Sequence, residues 1–105
     1  MTSPILLRKI ETYSVPDIEA FFSDALTYLY SGHPPFQKGE KLLLKPNLLA
    51  PKPPQSAVTT HPTVLEALIR VLKKFQCDIY MGDHTPIYSQ QHTTRKTQLH
   101  QLFRR

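Results

Sequence analysis

Lys41-Leu42-Leu43-Leu44-Lys45-Pro46-Asn47 sets three consecutive leucines between two lysines and closes on a proline. Strict alternation would mark a strand with one wet face. Unbroken apolarity instead predicts a short strand covered on both faces, as in a parallel sheet. Pro46 has no N–H to give to a ladder and ends the run. Downstream, Thr60-His61-Pro62 opens a helix predicted to reach about Phe75. Its apolar residues Val64, Leu65, Leu68, Ile69, Val71, Leu72 and Phe75 cover a wide face, so it should be well buried. Lys73 and Lys74 fall in its last turn, where cations complement the negative end of the helix dipole. Ile79-Tyr80-Met81 then forms a second short strand that leaves through Gly82-Asp83. Strand, helix, strand is a βαβ crossover, and it predicts an α/β fold built on a small, mostly parallel open sheet.

Outward from this unit the pattern thins. Between Pro46 and Thr59 the chain carries Pro46, Pro51, Pro53 and Pro54 and no glycine, which favours a stiff, extended connection. Irregular stretches this long are uncommon inside compact domains and are often functional. Upstream, Ser14 and Asp17 resemble a capping box, with Pro16 in the first turn, where its missing N–H has no helical partner. Val15, Ile18, Phe22, Ala25, Leu26 and Leu29 follow as one stripe, and Gly32 with Pro34-Pro35 stops this helix near Tyr30. Ile5 to Ile10 reads as a further short strand with a weak pattern. Beyond Pro86, Thr94 to Phe103 reads as a third helix whose apolar face is limited to Leu99, Leu102 and Phe103.

The 105 residues suffice for one modest domain, and a hydrophobic fraction of 40% gives a core of limited size. With at most three short strands and two strong helices, the chain reads as a single partial domain over residues 1–105. Self-association, or a missing segment, would then cover what it leaves open. The net charge of +5 is uneven: from His84 to the end stand Arg95, Lys96, Arg104 and Arg105 and no acidic residue. A solvated basic tail is the preferred reading over nucleic-acid binding, because no aromatic stacking surface is interleaved with the charges. The lone Cys77 excludes an internal disulfide and an iron–sulfur cluster held by this chain, and is expected to act as a small buried apolar side chain. No run approaches a membrane span, and Ile5-Leu6-Leu7 is too short for a signal-peptide core, so a cytoplasmic location is expected.

In open α/β sheets, ligands bind at the carboxyl ends of the strands, where strand exits meet helix starts. Three clusters of this sequence converge there. The first strand delivers Lys45 and Asn47, the loop supplies Lys52 and returns through Thr59, Thr60 and His61, and the second strand exits at Asp83 and His84. Lysines, threonine hydroxyls and free N–H groups at a helix start suit a phosphate or carboxylate. His61, Asp83 and His84 are a weaker candidate set for a metal ion, since no recognised ligand spacing joins them. Each residue also has a plain structural role open to it. Thr60 or His61 caps the helix, Asn47 or Asp83 ties down its own loop, and Lys45 is surface charge.

These residues carry a family likeness. Lys41 to Leu49, Pro51-Lys52-Pro53-Pro54, Ala57-Val58-Thr59-Thr60-His61-Pro62 and Gly82-Asp83 resemble the amino-terminal part of the family called domain of unknown function 362. The likeness is specific over residues 39–83 and looser beyond, with Arg95-Lys96-Thr97 a faint continuation. Many relatives join this domain to a ferredoxin-like iron–sulfur module, so the resemblance implies a redox or metal-linked setting. The cysteines such a module needs are absent here, and His84-Thr85-Pro86-Ile87 stands where the family pattern suggests smaller residues and a glycine. The expectation is an uncharacterised, truncated amino-terminal domain with an anion- or ligand-binding crevice, not catalytic by itself. Two alternatives stand beside it: a metal- or anion-dependent enzyme using His61 and Asp83, and a small interaction module acting through the basic tail.

Overall fold

The computed structural model describes residues 3–47, 53–57 and 59–82. Lys52, Asp83, His84 and the expected third helix from Thr94 to Phe103 lie outside the described residues. What is described is a small α/β fold: helix α1 (Val15–Leu29), strand β1 (Lys41–Leu44), a 3₁₀ turn (Pro54–Ser56), helix α2 (Pro62–Lys73) and strand β2 (Asp78–Met81). β1 and β2 pair in parallel, with Lys41 opposite Asp78, Leu42 opposite Ile79, Leu43 opposite Tyr80 and Leu44 opposite Met81. The ladder is prolonged at both ends, where Asp78 N–H donates to Glu40 O (2.9 Å) and Gly82 N–H to Leu44 O (3.1 Å). The expected βαβ crossover is therefore present.

Helix α1 starts at Ser14, whose Oγ accepts from Asp17 N–H at 3.4 Å. Only this half of the capping box forms among the described residues, because Ser14 N–H donates to Thr12 O at 2.9 Å. The helix ends in a Schellman arrangement: Gly32 N–H reaches Thr27 O (2.9 Å) and Ser31 N–H reaches Tyr28 O (3.3 Å). The left-handed position falls on Ser31 (φ 53°), with Gly32 (φ 79°) after it. Helix α2 ends two residues before the expected Phe75. Phe75 and Gln76 continue as turns, and Gln76 takes φ 58°. Its carbonyl accepts from Gly39 N–H at 2.9 Å, tying the turn before β1 to the turn before β2.

The core is small. α1 packs against α2 and α2 also lies against β2, and the buried apolar residues are Ile18 of α1 and Leu65, Ala67, Val71 and Leu72 of α2. Lys74 Nζ to Glu19 Oε1 (3.3 Å) joins the two helices at the surface.

Two expectations fail. Ile5 to Ile10 joins no ladder among the described residues, and Ile5 and Leu7 are exposed. The segment is held to α1 instead, by the Arg8–Asp24 ion pair (2.9 Å) and by the Arg8 guanidinium 5.4 Å from the Phe21 ring centre. The two strands are also covered on one face only among the described residues. Leu42, Leu44, Ile79 and Met81 are half-buried, while Leu43 is 70% and Tyr80 55% exposed. No helix among the described residues is long and apolar enough to cross a membrane.

Candidate functional site at the carboxyl edge of the sheet

β1 ends at Leu44, and Lys45, the buried Pro46 and Asn47 carry the chain off the sheet. Here it is clasped to the segment that starts α2. Asn47 N–H donates to Thr60 Oγ1 (2.9 Å), and Thr60 N–H donates back to Asn47 O (3.0 Å). The clasp closes the intervening proline-rich loop, so residues 13 apart in sequence act as one edge. It uses Thr60's hydroxyl and amide together, which a valine at that position would not allow.

His61 is the N-cap of α2. Its Nδ1 accepts from Thr63 N–H at 3.1 Å, which fixes the ring proton of the neutral imidazole on Nε2. The Tyr13 ring stacks on the imidazole, with centroids 3.7 Å apart and planes 11° from parallel. Partial burial holds the imidazole pKa below its ordinary value, because desolvation disfavours the charged form. Tyr13 also lines an apolar groove of about 430 Å³ with Ile10, Ile18, Phe21, Phe22 and Val64.

The start of α2 has fewer donors in reserve than an uncapped helix. Pro62 has no N–H, Thr63 gives its own to His61 Nδ1, and Val64 and Leu65 both give theirs to His61 O. A ligand that needs these amides must displace the His61 ring from Thr63. One polar group is left over nearby. Thr59 is only 7% exposed, and its Oγ1 is buried with no hydrogen-bond partner among the described residues. A buried hydroxyl in that state is costly unless something satisfies it.

The structure thus brings Asn47 and Thr60 into direct contact, and Thr59 and His61 flank Thr60 in the chain. Lys45 leaves the same strand end. Lys52, Asp83 and His84 lie outside the described residues. Among the described residues no three His, Cys, Asp or Glu side chains come together as a metal site. The Tyr13 stack was not foreseen from the sequence. Tyr13 stands just before the cap of α1, where an aromatic residue gives no local sign of a distant partner.

Comparison with protein families matches residues 42–105 to the domain of unknown function DUF362. The chain belongs to this family. The DUF362 match begins inside β1, spans the clasp, α2 and β2, and continues through the basic segment after Gly82. It covers residues 42–83 of the stretch in which the sequence resemblance is specific and extends past it. No curated protein and no solved structure matches the chain.

Proposed function

We propose that this DUF362 chain uses the clasped edge between β1 and α2 to bind a small anion, a phosphate or a carboxylate. The observation that carries the reading is the buried Thr59 hydroxyl, without a partner among the described residues, beside the Asn47–Thr60 clasp and the positive end of α2. Lys45 supplies a cation from the adjoining strand end. The bound anion takes the Thr59 proton as a hydrogen bond and draws Thr63 N–H away from His61.

The reading separates function from stability at one residue. Thr59→Val removes a buried hydroxyl that has no partner among the described residues. It is expected to stabilise the unliganded chain by about 1–3 kcal/mol in urea unfolding and to weaken sulfate binding in calorimetry. A Thr59→Val chain that binds sulfate as the parent does removes Thr59 from the site. Sulfate is the probe because it stays dianionic across the neutral range.

A further inference from the structure

Tyr13 serves two places at once. Its ring stacks on His61, the N-cap of α2, with centroids 3.7 Å apart. The same side chain lines the apolar groove of about 430 Å³ with Ile10, Ile18, Phe21, Phe22 and Val64. Phe21 and Phe22 add two rings whose centroids are 6.0 Å apart. Among the described residues this is an apolar hollow of the size that small-molecule pockets have. Glu11 also lines it, but Lys9 Nζ stands 3.4 Å from the carboxylate, so that charge is met by a cation. The groove adjoins the clasped edge through α2 itself. Thr63 N–H donates to His61 Nδ1, and Val64, the next residue, lines the groove. Consecutive Cα atoms are about 3.8 Å apart, so one small molecule can reach Thr63 N–H and Val64 together.

We propose that the clasped edge and the groove are two halves of one site, and that its ligand is a small aromatic anion. Such a ligand carries a phosphate or carboxylate joined directly, or through one carbon, to a single aryl ring. The inference rests on the anion reading of the edge and adds the body of the ligand to it. A bare anion gains Thr63 N–H only by displacing the His61 cap, which cancels part of its gain. Apolar burial in the groove offsets that loss. An aryl ring suits the lining because Tyr13, Phe21 and Phe22 offer it offset or edge-on ring contacts beyond plain area burial. The Tyr13–His61 stack joins the two halves. The anion takes the hydrogen bond that holds the imidazole, and the aryl ring packs beside the tyrosine that rests on that imidazole.

Phenyl phosphate and methyl phosphate test this in the full 105-residue chain. Both are dianions above a pKa of about 6, so they differ chiefly in the ring. Backbone amide shifts give the affinities, and nuclear Overhauser contacts place the phenyl protons. Phenyl phosphate is expected to bind about tenfold tighter than methyl phosphate, since even partial burial of one ring contributes that much. Its phenyl protons should contact the Tyr13, Phe21 and Phe22 rings, and both phosphates should shift the Thr63 amide. Phe22→Leu, which stays apolar but removes one ring from the groove, should narrow the difference between the two. Equal affinities with the Thr63 shift intact would overturn this proposal and leave the anion reading standing. No shift at Thr63 with either phosphate would overturn both. Phenol contacting the groove rings as tightly as phenyl phosphate would make the groove a separate apolar site, and that also overturns the proposal.

Discussion

His61 gives up its Nδ1 lone pair to Thr63 N–H, so protonation and capping exclude each other. Burial lowers the folded pKa, which means the folded state favours the neutral ring. The resulting stability is fully present above the unfolded imidazole value of about 6.5 and is lost as the pH falls through the lower folded value. His61→Asn keeps a side-chain acceptor and is expected to flatten this dependence in urea unfolding between pH 7.5 and about 5. His61→Ala should lower stability by about 1 kcal/mol at neutral pH. An unchanged pH profile in His61→Asn would take the cap out of the account. A second residue in a demanding position is Ser31, which carries φ 53° where a Schellman turn favours glycine. Ser31→Gly should raise stability by about 0.5–1 kcal/mol; a loss would mean that the serine side chain holds the turn. Cys77 is half-buried, with Sγ 3.6 Å from Gln37 O, and desolvation with Glu40 and Asp78 raises its pKa. Its thiol should react more slowly with iodoacetamide in the folded chain than in urea, and an equal or faster rate contradicts that environment.

The elements show which parts of the sequence are self-explanatory. Both helices are announced by local signals: Ser14 and Pro16 at one start, His61 and Pro62 at the other, and an apolar stripe in each. β1 and β2 follow from short apolar runs bounded by Pro46 and Gly82. Ile5 to Ile10 has a comparable run and forms no strand among the described residues, because pairing depends on a partner, not on local propensity. Its outcome turns on Arg8, whose contacts on α1 lie 13 and 16 residues away and leave no local mark. The clasp is legible only in part. Asn47 and Thr60 each invite local capping, and their mutual bonds arise because the crossover returns α2 to the end of β1. Thr60→Val removes the Oγ1 that accepts from Asn47 N–H at an exposed site and should lower stability by about 0.5–1.5 kcal/mol, with Thr60→Ser recovering most of it. If Thr60→Val matches the parent in urea unfolding, the clasp contributes nothing.

At the scale of the molecule, a small core built from α1 and α2 carries the described fold, while the sheet adds one face covered and one open among the described residues. Leu42 to Leu44 therefore reads correctly as a parallel strand, but two-sided cover is not met among the described residues. Where a strand's second face is buried depends on chain outside it, and three leucines in a row cannot say which segment that is. The site has the same character. Lys45, Asn47, Thr59, Thr60 and His61 announce a convergence through topology, whereas the orphaned Thr59 hydroxyl and the spent amides of α2 emerge only from the packing. The central claim is that this edge receives an anion. Titrating sulfate into the full chain while recording backbone amide shifts tests it most directly. The account predicts saturable shifts at Thr60, His61 and Thr63, largest at Thr63 as its N–H leaves Nδ1 for the anion. Amides at these three positions that stay unmoved at millimolar sulfate would contradict it.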